Sequence, residues 1–488
     1  MSPSTAPPHV VIVGGGIAGL AAAFFLRDEP VRVTVLEGSP RLGGKLSVSE
    51  IAGVAVDEGA EALLVTRPEG TGLIAQVGLA GDRVEPGTTS AAIWTLGAFH
   101  PLPRRQFMGV PSDLAELARS GVVSDAGVAR ADEDLELPAT ERAGDVAVAD
   151  YVGARFGAEV VDRLVDPLLG GVYAGRSSEL SFDATMPALS AASRRYRSLA
   201  EAVGSLLPSP APVPRPGGSV FTTLAGGLGL LPAFLAKASG AEVRTTAITR
   251  ALAAPGTGSG WRLTVGSAAA EELIEADAVI LAVPAPPAAR LLAGVPGVSA
   301  AVAALGEISY ASMAIVTLAY PRSAFPGAGL AALGLSGYLV PAVDRRPVKA
   351  VTFSTVKWPH LADTTESGNE PLEIVRCSVG RIGEEALLQR ADEDLAALAA
   401  AELAAATGVR GAPVARRVTR WGGALPQYTV GHLDRVATIR AGVAAQPGLA
   451  VCGAAYEGVG IPACIATARA AASQVTEFVR RGRQWSHG

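Results

Sequence analysis

The stretch His9-Val10-Val11-Ile12-Val13-Gly14-Gly15-Gly16-Ile17-Ala18-Gly19-Leu20 decides how this chain begins to fold. Four β-branched residues in a row read as a short buried strand, the glycines as a tight turn, and the run to Leu26 as a helix opening at that turn. Such a turn aims free backbone N–H groups and the positive end of the helix at a pyrophosphate. Gly14 permits the turn, Gly16 lets the backbone approach the ligand, and Gly19 lets the helix pack close to the strand; Gly15, Ile17 and Ala18 complete the cradle. Val31 to Leu36 read as the next strand, which ends in Glu37, eighteen residues past Gly19. An acidic side chain there accepts hydrogen bonds from ribose hydroxyls and repels a 2′-phosphate. G-x-G-x-x-G alone is a weak signal, but here the strand, the helix and the acidic residue stand in register around it.

At 488 residues the chain is long enough for two to four lobes. Hydrophobic residues at 49%, charged residues at 18% and a net charge of −5 fit a globular protein with no electrostatic footprint for nucleic acid. The first apolar run belongs to the dinucleotide strand and lacks the flanks of a secretory signal, so a cytoplasmic location is expected. Pro284, Pro286, Pro287 and Arg290 interrupt the run after Ala278, and no apolar stretch reaches the ~18–20 residues of a membrane span. The cysteines Cys377, Cys452 and Cys464 form no CxxC pair, and the five histidines are scattered. Neither a disulfide scaffold nor a metal site is expected, and the chemistry falls to a bound cofactor.

After Glu37 comes Gly38-Ser39-Pro40-Arg41-Leu42-Gly43-Gly44-Lys45, two bases and a glycine pair where a second phosphate-facing turn can form. Flavin adenine dinucleotide (FAD) best explains that extension. With it the chain resembles the flavin-dependent amine oxidases, whose signature is an acidic residue followed by R-x-G-G-[KR]; Arg41, Gly43, Gly44 and Lys45 match. Val56-Asp57-Glu58-Gly59-Ala60-Glu61-Ala62 resembles the family segment that runs along the flavin, which assigns Gly59, Ala60, Glu61 and Ala62 to the cofactor. Read without that motif, Asp57 and Glu58 would be a solvated turn. The resemblance also places Val243, in a strand Glu242–Arg244, on the adenine side. Asp277 to Pro284 matches a strand D-x-V-[IV]-x-A-x-P, expected parallel to the first. A closing strand through Gly453, a turn Ala454 to Gly458 and a helix from about Gly460 to Phe478 repeat the opening logic. There Val459, Gly460 and Ile461 match the flavin-contacting E-G-V-G-I-P.

Between these segments the pattern changes. Ala91 to Leu96 and Phe99 to Pro103 read as short strands, Ser112 as the N-cap of a helix, and Asp132 to Glu136 as a solvated loop. Residues Leu206 to Pro216 read as a linker. From near Asp145, apolar residues at Val148, Val152, Phe156, Val160, Leu164 and Leu168 predict one core-facing helix. It ends in Gly170-Gly171-Val172-Tyr173-Ala174-Gly175, which resembles the G-[VI]-[YF]-A-G turn of the porphyrinogen oxidases and implies that Leu168, Gly171 and Val172 meet the substrate. Arg420 to His432 resembles their W-x-x-A-L-P-Q-Y-x-x-G-H segment and implies that Trp421 lies against the flavin. No cysteine falls in that segment, so the FAD is expected to be non-covalent. Where mitochondrial-type enzymes carry a propionate-binding arginine this chain has Ala91; the resemblance makes Arg67, which follows the flavin-side segment Gly59 to Ala62, a candidate partner instead.

The resemblance covers nearly the whole chain and implies an α/β and α+β architecture: a Rossmann-like FAD-binding domain, a mixed-sheet substrate domain and a helical subdomain. The expected boundaries are 1–89, 217–300 and 436–488 for the FAD-binding parts, 90–110, 176–216 and 301–435 for the substrate-binding parts, and 111–175 for the helices. It implies oxidation of coproporphyrinogen III to coproporphyrin III in three two-electron steps, with oxygen as acceptor and hydrogen peroxide released. Related enzymes oxidise protoporphyrinogen IX, but the lack of a membrane-docking surface and the four propionates of coproporphyrinogen favour the latter. The partners implied are the porphyrinogen and O2, with no nucleic acid, no transmembrane segment, a monomer or homodimer, and room for transient contact with other haem-pathway enzymes. No side chain is assigned as acid or base. The rivals are amine oxidases, desaturases and a flavin mutase, and, in another class, non-catalytic binding proteins on the same fold.

Overall fold

The computed structural model describes residues 6–208, 219–254, 260–363 and 370–485, so most of the linker beyond Pro208 lies outside them. Strand β1 (His9–Val13) leads into helix α1 (Ile17–Leu26) and strand β2 (Arg32–Leu36). Three distant segments, β3 (Glu242–Arg244), β4 (Ala278–Leu281) and β5 (Leu449–Val451), complete a parallel sheet in the order β3-β2-β1-β4-β5. Because side chains alternate across a strand, Val10 and Ile12 enter one apolar core with α1, and Val11 and Val13 enter another on the opposite face. Burial on both faces is why β1 carries a continuous apolar run rather than an alternating one. Helix α2 (Ile461–Trp485) packs on the α1 side and closes the domain. Strand Trp261–Ser267 belongs to a separate three-stranded antiparallel sheet with Thr249–Ala253 and Ala270–Ala276.

The second sheet is mixed and seven-stranded. Its order is Ala415–Pro426, Tyr310–Pro321, Leu372–Val379, Val348–Phe353, Gly337–Leu339, Ala91–Thr95, Ala98–Pro101. The strands at 91–95 and 337–339 run parallel and the other neighbours antiparallel. The alanine-rich helix Asp392–Thr407 packs its buried Leu395, Ala399 and Leu403 into the core beneath it.

A further core is helical, and four expectations change there. The helix starting at Leu114 is capped by Asp113, which accepts from the Glu116 N–H at 2.9 Å; Ser112 instead donates to the Arg105 carbonyl. The single helix expected from Asp145 is broken at Gly157, whose φ of +84° is left-handed, and it resumes through a π-type turn at Val161–Val165. Asp134, in the supposed solvated loop, is fully buried. It pairs with Arg155 and accepts from Ser198 Oγ at 2.6 Å and from the N–H groups of Leu199 and Ala200 at 3.1 and 3.0 Å. One carboxylate thus caps the helix Leu199–Leu206 and neutralises a buried guanidinium. The short helices between Phe182 and Leu206 share this core, so the segment assigned to the sheet side packs with the helices.

Candidate cofactor and substrate cavity

A cavity of about 780 Å³ opens at the carboxyl ends of β1, β4 and β5, where parallel α/β sheets bind ligands. Gly14 turns the chain at φ +110°, and a Cβ on Gly19 would collide with the Gly14 carbonyl oxygen. A Cβ on Gly16 would meet nothing, because Gly16 faces the cavity. No side chain caps α1 at Gly16, so its first N–H groups have neither an intrahelical nor a side-chain acceptor. Glu37 lines the same end. Its two oxygens accept from the N–H groups of Gly15 and Ser39, both at 2.7 Å, and each keeps a lone pair for a hydroxyl. An uncapped helix end with a bare glycine face and an adjacent anchored carboxylate fits the diphosphate and ribose of a dinucleotide.

Gly14, Gly16, Ile17, Ala18, Glu37, Gly38, Gly43, Gly44, Lys45, Gly59, Ala60, Ala62, Gly171, Val172, Trp421, Gly453, Val459, Gly460 and Ile461 all line this one cavity. Burial lowers the Lys45 ammonium below its ordinary range. Trp421 forms a wall: its indole N–H donates to the Glu58 carbonyl at 2.9 Å, and Arg41 lies over its ring at 5.7 Å. Gly59 must be glycine, since a Cβ would lie 2.0 Å from the Lys45 carbonyl oxygen and 3.2 Å from the Trp421 ring.

Seven expected site residues do not line the cavity. Gly15 and Gly19 act within the turn, as just described. Arg41 is exposed and braces its own loop by donating to the Gly44 carbonyl at 2.8 Å. Val243 pairs with Val35 and packs into the apolar core, while Ala247, Ile248 and Thr249 line the cavity. Glu61 turns away to pair with Arg376 and, at 2.6 Å, with Lys357; burial would raise its pKa, but the two cations hold it at about 2. Arg376 also donates to the Gly59 carbonyl at 2.6 Å, so Glu61 ties the cofactor-side segment to the mixed sheet. Arg67 precedes the helix Pro68–Gln76, half exposed and 3.6 Å from Glu69, with Gly458 nearby. Leu168 packs against the helical core. Asp57 is buried and accepts from the N–H groups of Leu228 and Gly229, both at 2.9 Å; burial nevertheless pushes it up to about 6.

Sequence reading missed Pro284, Pro287, Arg290, Tyr310, Met313, Ile315 and Cys464 in the lining. Pro284 follows a parallel strand and precedes a helix, so the rule that ligands sit at carboxyl ends of strands could have named it. Met313 and Ile315 follow a β-bulge between Ala311 and Met313, and that register shift has no sequence signal. The two segments that resemble porphyrinogen oxidases dock on each other. Gln427 Nε2 donates to the Tyr173 carbonyl at 2.8 Å, and a Cβ on Gly175 would meet Gln427 Oε1 at 2.2 Å. Only Gly171 and Val172 from one segment, and Trp421, Ala424 and Leu425 from the other, reach the cavity.

The family model described as flavin containing amine oxidoreductase matches residues 17–476, and the chain belongs to that family, with FAD as its cofactor. Within it, the chain is 38% identical to the coproporphyrinogen III oxidase of Mycobacterium tuberculosis (strain ATCC 25618 / H37Rv) over 481 residues, covering 96% of this chain and 98% of that one. It is 31% identical to the coproporphyrinogen III oxidase of Bacillus subtilis (strain 168), again over 96% and 98%. A crystal structure from Exiguobacterium sp. 255-15, provisionally named a protoporphyrinogen oxidase, superposes with a TM-score of 0.82 at 28% identity, over 98% of this chain and all of that one.

Proposed function

We propose that the protein is an FAD-dependent oxidase that converts coproporphyrinogen III to coproporphyrin III. Three O2 accept six electrons and six protons, which leave the macrocycle as three H2O2. One cavity carries this reading: it joins the cradle at Gly14, Gly16, Ile17 and Ala18 to a proposed substrate-side wall of Gly171, Val172, Trp421, Ala424 and Leu425. When bound, the flavin supplies the two-electron acceptor and the reactivity toward oxygen.

The chain's own residues position and enclose. The first amides of α1 would hold the diphosphate, Glu37 would accept from the ribose hydroxyls, and the amino end of α2 would face the bound cofactor. Small residues at Gly171 and Ala424 leave room for a flat macrocycle, and Met313, Ile315, Trp421 and Leu425 keep the reacting face apolar and dry. Burial pushes the Tyr310 hydroxyl up to about 12 and the Cys464 thiol to about 11, so neither is an anion at neutral pH. No lining side chain is assigned a proton-transfer role. Arg67, half exposed and near Gly458, is the candidate partner for a propionate. No described helix is long and apolar enough to cross a membrane. A cytoplasmic enzyme, monomeric or dimeric, that meets other haem-pathway enzymes transiently completes the reading.

The purified protein should show flavin absorption and should release three H2O2 per coproporphyrin formed under air. A colourless protein that takes up no flavin would refute the oxidase reading.

A further inference from the structure

The turn Ala454 to Gly458, between β5 and α2, is held by two side chains of another segment. Tyr428 Oη donates to the Ala454 carbonyl at 2.6 Å and accepts from the Gly458 N–H at 2.8 Å. His432 Nε2 lies 3.0 Å from the Tyr456 carbonyl, and since a carbonyl can only accept, Nε2 carries the proton. Its Nδ1 is buried with no partner, which leaves the ring neutral. The two rings stack at 3.8 Å with 14° between their planes, and both are buried. Three backbone groups of one turn therefore end on a single two-ring unit. Its base is fixed as well, because the Gly431 N–H donates to Asp145 Oδ2 at 2.8 Å and the Ser181 N–H to the Tyr428 carbonyl at 2.7 Å.

Neither ring lines the cavity, whereas Ala454, Ala455, Val459, Gly460 and Ile461 do. We infer that Tyr428 and His432 are positioning residues: by clamping the Ala454–Gly458 turn they set where the amino end of α2 opens onto the cofactor. The inference rests on the flavin reading and adds to it a device, in the Gln427–His432 segment, that tunes the cofactor from outside its contact shell. A partial positive charge at a helix end acts only within its first turn, so a small shift of this turn alters the field at the ligand.

The test uses the flavin-loaded protein. Tyr428→Phe keeps the stacked ring and removes the bridging hydroxyl, His432→Leu removes the donor, and His432→Gln restores one. For the first two we expect shifted flavin absorption bands, at least about fivefold faster flavin dissociation, and at least about tenfold faster hydrogen exchange at the Gly458 amide. kcat should fall about fivefold or more with KM within about twofold, and His432→Gln should recover most of the loss. Unchanged flavin spectrum, dissociation and Gly458 exchange in both variants, with only a lowered Tm, would make the pair mere core packing and overturn the inference. Should the variants not fold, the parent decides: a Gly458 amide exchanging as fast as an open loop refutes the clamp. Exchange reads the clamp whether or not flavin is bound, so failure of the flavin reading is told apart by the colourless parent.

Discussion

A methyl group added at Gly19 would sit 1.9 Å from the Gly14 carbonyl oxygen, whereas one added at Gly16 would meet no atom within 4 Å. Gly19→Ala is therefore expected to destabilise the protein by about 3 kcal/mol, since the obstacle is backbone. Gly16→Ala should leave the stability of flavin-free protein within ~0.5 kcal/mol, as a surface change does. It should still weaken FAD binding by at least about tenfold, because the methyl fills the place of the diphosphate. Urea melts of the apoprotein and fluorescence titration with FAD separate the two; a Gly16→Ala protein that binds FAD normally would remove the cradle from that glycine. His432 gives a pH signature. Burial pulls its pKa down from 6.5 to about 4 despite its bond to the Tyr456 carbonyl. Between those values the unfolded chain binds the extra proton, so stability falls as pH drops from about 6.5 to 4 and levels off below, at up to ~1.4 kcal/mol per unit. Asp57 acts oppositely: its raised pKa, about 6, means the folded state takes up the proton first and gains stability as pH falls through that range. Subtracting the Tm–pH profile of His432→Gln from that of the parent isolates the histidine, and a flat difference would contradict its burial as a neutral ring.

Among the elements, the strand β1, its turn and α1 were legible because their constraints are local: β-branched burial, glycine sterics and helix polarity act within about ten residues of one another. The roles of Glu61 and Asp134 were not. Glu61 meets Arg376 at a separation of 315 residues and Asp134 meets Arg155 at 21, and an acidic residue in a polar stretch looks the same whether solvated or paired. The docking of Gln427 on the Tyr173 carbonyl was hidden for the same reason, although both segments stood out as motifs. These ties carry consequences of their own. Asp134→Ala should cost about 3–5 kcal/mol, because it strands a buried guanidinium as well as uncapping a helix; a loss under about 1 kcal/mol in chemical denaturation would show that the pair contributes little. Glu61→Gln removes the charge that gathers Arg376 and Lys357 at the Gly59 segment. Its expected effect is a lower kcat alongside a lower Tm, and an unchanged flavin spectrum with normal turnover would separate that tie from the cofactor site.

In the whole molecule the cavity draws its lining from segments spread from Val13 to Cys464: the parallel sheet, the mixed sheet at Tyr310, Met313 and Ile315, and the helix that carries Gly171 and Val172 all contribute. Sequence motifs named residues that line one end of the cavity, Gly14, Gly16 and Glu37 among them, because a diphosphate and a ribose call for those residue types in that order. They did not single out Tyr310, Met313 and Ile315, since these lie in apolar sheet whose sequence differs little from that of core strands. The proposed substrate is coproporphyrinogen III, the one named for the oxidases that are 38% and 31% identical over nearly the full chain. The most direct measurement is the rate of porphyrin fluorescence appearing under air when the FAD-loaded protein is given coproporphyrinogen III or, separately, protoporphyrinogen IX. Faster oxidation of coproporphyrinogen III, dependent on bound FAD, is the result expected; faster oxidation of protoporphyrinogen IX, or no porphyrin from either, would contradict it.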